Sequence, residues 1–274
     1  MKSAELFLDE PFRTRWAGQD PFVAVEALQG RVYRELEARR TLRTEVAGRG
    51  YFVKIHRGVG WGEIVKNLVS LRLPVLGAGN EWRAIRRLEA LGVDTMRAVA
   101  YGVRGGNPAT QHSFIVTEEL APTVSLEDFC RDWPSSPPAP RFKRALIERV
   151  ATMARRMHAG GVNHRDFYIC HFLLHLDPAP TSERFKLSLI DLHRAQLRPA
   201  TPRRWRDKDL AALHFSALDI GLTRRDFLRF LRVYFGRPLR DVLRDEAGLI
   251  EHLHREAARL QRRFVKKFAG KGVV

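Results

Sequence analysis

The stretch GVNHRDFYICHFLL, residues 161–174, decides how the rest of the chain is read. It sets a polar His164-Arg165-Asp166 between two apolar segments. Before it, residues 141–159 carry Leu146, Val150, Met153 and Met157 at helical spacing. That spacing predicts a long helix with one buried stripe. After it, HFLLHL and FKLSLIDL flank DPAPTSER, which predicts a β-hairpin with a longish loop. Asp166 therefore lies between helix and hairpin, where a carboxylate can accept the proton of an incoming hydroxyl. A second acid, Asp191, ends the second hairpin strand. A strand-end turn residue is the plain alternative for it.

Composition narrows the field. The chain has 274 residues, 45% of them apolar, enough for one large domain or two lobes sharing a cleft. No apolar run approaches the length of a membrane span. The N-terminus lacks the basic-then-apolar layout of a signal peptide, so the protein is expected to stay where it is made. Cys130 and Cys170 form no partner pattern, which fits a reducing cytoplasm. The net charge is +17 and the pI about 10.8. Such a surface calls for a negative partner or substrate: nucleic acid, an anionic membrane, a phosphorylated lipid or an acidic protein. Arg-rich codon usage is the bland alternative.

Along the chain, Asp20-Pro21 can open a short helix. Residues 31–46, 51–57, 98–104 and 113–120 read as strands, with a turn at 47–50. Residues 61–74 have helical spacing and stop at Pro74. Residues 80–93 read as a helix capped by Asn80 and ended by Gly92, and residues 205–274 as mostly helical. Strands first and helices later predict an α+β chain with two lobes: a small β-rich N-lobe over 1–120 and a larger, mostly helical C-lobe over 121–274.

Phosphoryl transfer needs a lysine on the nucleotide phosphates, an acid to hold it, a carboxylate for the acceptor hydroxyl and metal ligands. Lys54, between Val53 and Ile55, is a candidate for the first. Glu81 is its expected partner, with Glu89 and Glu63 as rivals. A lysine on an edge strand pointing at water is the alternative. Asp166 takes the third part. Asp191 stands where protein kinases keep the metal-binding Asp of Asp-Phe-Gly, although Leu192 and His193 follow it here. FIVTEEL (114–120) falls where kinase lobes join and backbone groups hold adenine, so Glu118, Glu119 and Leu120 are nucleotide candidates. The usual Gly-rich lid is absent, and RRTLRTEVAGRG stands in its place. There Arg39, Arg40 and Arg43 can bind phosphates bidentately, or simply line a solvated strand. His171 replaces the metal-binding Asn of kinases. It can ligate a softer ion, hydrogen-bond a phosphate or Asp166, or leave a single metal on Asp191. A His171–His175 zinc site is a further option. Asp209 can brace the catalytic loop, as an acid does in kinase-like folds, or cap a helix, and the two roles are compatible.

Together RRTLRTE (39–45), GYFVKIHRGVGWGEIVKNL (50–68), LPVLGAGNEWRAIRRL (73–88), SFIVTEEL (113–120), NHRDFYICHFLL (163–174) and LIDLHRAQ (190–197) resemble the lipopolysaccharide core heptose kinases, of the protein-kinase-like superfamily. The resemblance spans most of residues 30–200. It implies ATP- and Mg²⁺-dependent phosphorylation of the first heptose of the inner core. The acceptor is carried on lipid A at the cytoplasmic face of the inner membrane. It implies Asp166 as base, Lys54 as phosphate lysine and Asp191 as metal ligand. A His in place of the Asn is usual in that family.

The segment 252–272 reads as a basic amphipathic helix able to lie on an anionic leaflet, or to dock on the large lobe. The expected location is cytoplasmic, peripherally on the inner membrane. An acidic partner such as an acyl carrier protein would meet the same field. GVGWGEIVKNLVSLRLPVLGAG (58–79) offers apolar surface for an acyl chain. Other readings are a small-molecule kinase of the aminoglycoside type, a pseudokinase scaffold and a basic binding module. The first is disfavoured by the charge and the second by retention of Lys54, Asp166 and Asp191. For the third, no helix-turn-helix, zinc finger or aromatic-rich RNA motif is present, so no specific nucleic-acid partner is expected.

Overall fold

A computed structural model describes residues 5–58, 60–62, 77–107 and 109–268. The chain forms two compact units. The first comprises Met1–Arg86, Met96–Leu120 and Leu192–Arg194; the second comprises Arg87–Thr95, Ala121–Asp191 and Ala195–Val274. A single cut after Leu120 is therefore too simple: Arg87–Thr95 clusters with the second unit and Leu192–Arg194 with the first.

The first unit contains β1 (Glu5–Leu8), α1 (Phe12–Arg15), α2 (Pro21–Glu26), β2 (Arg31–Leu36), β3 (Arg39–Val46) and β4 (Arg49–His56). Then come α3 (Gly79–Ala90), β5 (Ala98–Arg104) and β6 (His112–Glu118). The last four residues of α3 cluster with the second unit. The strands form one antiparallel sheet in the order β1-β5-β6-β4-β3-β2. Asp20 caps α2 by accepting from the Phe22 N–H, with Pro21 in the first turn. Ala47 and Gly48 join β3 to β4 with φ of 52° and 72°. Two positive φ values in a two-residue turn match the right-handed strand twist, which brings β4 back in register.

Successive side chains of a strand point to opposite faces. In β4, Tyr51, Val53 and Ile55 are buried in a cluster with Phe12, Phe22 and Phe114. Lys54 must therefore face the other way. The predicted helix at 61–74 falls largely outside the described residues. Asn80 lies inside α3 and is not its cap: its Nδ2 donates to the His193 carbonyl at 3.0 Å. Gly92, at φ 65°, does end the helical segment, and the Val93 N–H turns back to the Leu88 carbonyl at 2.9 Å.

The second unit opens with β7 (Thr123–Ser125), α4 (Leu126–Phe129) and the long α5 (Pro140–Ala159). Pro140 sits in the first turn of α5, where its missing N–H costs nothing. Leu146, Val150, Met153 and Met157 form the buried stripe, each contributing about 1.5–3 kcal/mol by burial. Next come β8 (Val162–Asn163), β9 (Phe172–His175), β10 (Leu187–Leu189) and β11 (Gln196–Leu197). The strands β10-β9-β7 form one small sheet and β8 with β11 another. The chain ends in α6 (Arg203–Ser216), α7 (Arg224–Phe235), α8 (Leu239–Asp245) and α9 (Ala247–Phe268).

Candidate active site

In the second unit the site grows from the end of α5. Gly161 has φ 80°, and a Cβ there would lie 1.8 Å from the Arg198 carbonyl oxygen, so only glycine lets the chain turn under β11. β8 then pairs with β11, Gln196 opposite Asn163. The loop leaving β8 is His164-Arg165-Asp166. His164 is fully buried, and Phe167 and Phe172 are buried on either side of the 3-10 turn over Ile169–His171. Burial holds the His164 imidazolium below its usual pKa. Its Nε2 lies 2.9 Å from the Ile190 carbonyl.

The loop is strained and braced. Arg165 has φ 75°, a conformation unfavourable for a non-glycine residue. The carboxylate of Asp209, 1% exposed, accepts the His164 N–H at 2.6 Å and the Arg165 N–H at 2.9 Å. His158 Nε2 lies 3.3 Å from the same carboxylate, and His158 Nδ1 lies 2.9 Å from the Tyr234 hydroxyl. Asp209 is thus the brace. It is not a helix cap, because α6 begins at Arg203 after Pro202.

The hairpin brings the second acid in. Phe172 pairs with Leu189, and the Ile190 N–H donates to the His171 carbonyl at 2.9 Å. Residues 171 and 191 are therefore neighbours across the open end. Asp191 has φ 63°, a second strained position. His171 Nδ1 lies 2.6 Å from the Asp166 backbone carbonyl. A carbonyl only accepts, so Nδ1 carries the proton. Nε2 then faces Asp191 Oδ2 at 3.6 Å. A lone pair and a carboxylate oxygen so placed can share a cation. Among the described residues no group of three or more His, Cys, Asp or Glu could hold a metal. A pure protein cage such as structural zinc needs is not built there. One carboxylate and one imidazole leave most positions to water and phosphate, the coordination Mg²⁺ accepts, although imidazole is its weaker ligand.

In the first unit Lys54 Nζ donates to Glu81 Oε1 at 2.7 Å. Glu81 is 2% exposed, and Glu89 is exposed further along the helix. Arg40 is engaged within its own unit: its Nε pairs with Glu35 of β2 at 3.1 Å and its Nη1 donates to the carbonyl of Glu26, the last residue of α2, at 3.0 Å. Arg43 makes a two-pronged bond to Glu119 at 2.8 and 2.7 Å. Glu118 pairs with Arg97 at 3.1 Å. The Glu118 and Glu119 N–H groups donate to the Arg97 and Gly50 carbonyls. Both carboxylates are thus occupied by arginines, and Leu120 follows them at the unit's edge. His158 and Tyr234, which support the brace, were not singled out by sequence. His158 lies in the helix six residues before His164, and no local spacing marks it for this role.

The sequence model of the lipopolysaccharide kinase (Kdo/WaaP) family matches residues 23–234. The chain belongs to this family. It is 70% identical over 258 residues to the lipopolysaccharide core heptose(I) kinase WaaP of Pseudomonas aeruginosa, covering 94% of this chain and 96% of that one. It is 56% identical over 260 residues to the protein of the same name in Escherichia coli K12, covering 95% and 98%. Among solved structures it is similar to WaaP in complex with acyl carrier protein, with a TM-score of 0.84, 66% identity, and coverage of 93% of this chain and 99% of that one. The mixed α+β architecture is that of this kinase family, and the chain is an ATP-dependent phosphotransferase.

Proposed function

We propose that this kinase phosphorylates the first heptose of the lipopolysaccharide inner core. The observation that carries this reading is the braced His164-Arg165-Asp166 loop, held by a buried carboxylate in a chain 70% identical to a heptose(I) kinase. Asp166 accepts the proton of the heptose hydroxyl. Lys54, held by Glu81, pairs with the nucleotide phosphates, and the backbone at Glu118–Leu120 takes the adenine. Asp191, with His171 beside it, would hold Mg²⁺, which supplies charge neutralisation on the phosphates when bound. His171 also ties the Asp166 carbonyl and so sets the angle of the base. Arg40 is not carried forward as a phosphate ligand, because Glu35 and the Glu26 carbonyl already engage it.

The acceptor is lipid-linked, so the protein works at the cytoplasmic face of the inner membrane. No helix among the described residues is long and apolar enough to cross a membrane. The last turns of α9 instead carry exposed Arg262, Arg263, Lys266 and Lys267 beside exposed Phe264 and Val265. Each cation near an anionic leaflet contributes about 1 kcal/mol to binding. An acidic carrier protein is a second partner, since a relative at 66% identity is solved with acyl carrier protein. The second unit contains an apolar cavity of about 520 Å³, lined by Leu146, Val150, Leu213, Phe227 and others, whose size suits a hydrocarbon chain. The segment 58–79, read from sequence as the acyl surface, lies mostly outside the described residues. The test is transfer of labelled phosphate from ATP to heptose glycolipid lacking that phosphate. Labelling of the heptose is expected, and ATP binding without any labelling would overturn the substrate assignment.

A further inference from the structure

The end of β6 is tied down from both of its faces, and the chemistry above assigns those ties no role. Glu118 lies directly opposite Tyr51 and so shares its core-side face. There its carboxylate pairs with Arg97 at 3.1 Å, and Arg97 also pairs with Asp9. Glu119, the next residue, points the other way, onto the face that carries Lys54. Its carboxylate takes the two-pronged bond from Arg43, which stands opposite Phe52 on that same face. Gly50 makes room for this clasp: a Cβ there would lie 1.8 Å from Glu119 Oε2. Gly50 has no positive φ, so the carboxylate, and not the backbone, requires the glycine.

The main chain is held as well. The Glu118 N–H donates to the Arg97 carbonyl and the Glu119 N–H to the Gly50 carbonyl, each at 2.9 Å. Side-chain ties and main-chain bonds together fix the two residues from which Leu120 leaves the sheet. A base that reads main-chain groups needs them at one angle, because hydrogen bonds weaken steeply once bent. Along β4 the clasp over Gly50 lies about 13 Å from Lys54, four residues of strand rise. A phosphate held by Lys54 is out of its reach, whereas Glu119 belongs to the base segment itself. Arg43 therefore serves the base end of the nucleotide and not the phosphates. A fork closed on a carboxylate adds geometric constraint to the attraction of charge.

We infer that the Arg43–Glu119 clasp over Gly50 positions the Glu118–Leu120 backbone for the nucleotide base. Arg43, Gly50 and Glu119 are thus positioning residues, and the inference rests on the base-segment reading above. The test measures equilibrium binding of ATP and of inorganic tripolyphosphate, each with Mg²⁺, together with KM for both substrates. R43Q and E119Q break the clasp by removing a charge. G50A breaks it with both charges in place, because the added methyl displaces the carboxylate end of a flexible side chain. All three weaken ATP about five-fold, in Kd and in KM, and leave tripolyphosphate binding unchanged. R43K, which keeps the charge and loses the fork, falls between them and the intact protein. G50A adds little once E119A has removed the carboxylate. KM for the glycolipid stays where it was. Unchanged ATP binding in the three variants overturns the inference, even if they melt earlier. Tripolyphosphate weakened as much as ATP also overturns it, since Arg43 then acts on the phosphates. Equal binding of ATP and tripolyphosphate by the intact protein removes base recognition, and the inference with it. If the intact protein labels no heptose, the acceptor assignment has failed instead, and the binding measurements still decide the clasp.

Discussion

Replacing Asp209 by Asn tests the brace beneath the catalytic loop. The wild-type carboxylate is buried and accepts two backbone N–H bonds, from His164 at 2.6 Å and Arg165 at 2.9 Å. Hydrogen bonds to a charged group contribute about 1.5–3 kcal/mol each. Asparagine keeps one acceptor oxygen and turns the other position into a donor facing a donor. One bond is lost and one N–H is buried unpaired, a further cost of about 1–3 kcal/mol. The combined loss is about 3–5 kcal/mol, which lowers the melting midpoint by about 10 °C. The catalytic effect is expected to exceed the stability effect at 20 °C. Arg165 is held at φ 75° by these bonds, and releasing it moves Asp166. A displacement of about 1 Å can cost about a hundred-fold in rate. The assays are a thermal melt and steady-state phosphate transfer well below the melt. A variant that melts within 2 °C of wild type and keeps half its kcat would refute the brace.

Other perturbations reach the remaining parts. E81Q removes the counter-charge of Lys54 while keeping its shape, so kcat/KM for ATP should fall by about ten- to a hundred-fold; an unchanged value would detach Glu81 from the nucleotide. H171N keeps a donor for the Asp166 carbonyl and an oxygen for the cation, so it should retain more activity than H171A; equal loss in both would mean the imidazole itself is required. Acid should destabilise the protein. Burial, with Arg39 and Lys54 nearby, pushes His56 down to about 3, and burial pushes His214 to about 4. The unfolded chain takes up protons near pH 6.5 and the folded chain does not, so stability is present at neutral pH and lost below it. His56 alone removes about 2 kcal/mol between pH 7 and pH 5. A melting midpoint that stays level across that range would mean the fold accepts the proton.

Local rules made part of this site legible. Lys54 stood out because Val53 and Ile55 fix two buried side chains around it, and strand alternation sends the lysine to the other face. The partner Glu81 followed from an acid in the first turn of the next helix. Asp166 and Asp191 were readable because a helix and a hairpin bracket them, and pairing of Phe172 with Leu189 closes the hairpin at that end. Residues whose roles depend on distant partners were not readable. Arg40 looked like a phosphate ligand in a basic run, but β2–β3 pairing sets Glu35 across from it. Asn80 looked like a cap, yet its partner is the carbonyl of His193. His158 and Tyr234 join the brace through packing of α5 with α7, which no local spacing announces.

The central claim is that Asp166 acts as the base when the phosphoryl group passes from ATP to a lipid-linked heptose. Its most direct test measures that transfer with the intact protein and with D166N, which preserves size and removes the base. The account predicts a labelled heptose with the first, at least about a hundred-fold less with the second, and the same melting behaviour in both. Comparable transfer by D166N would contradict it.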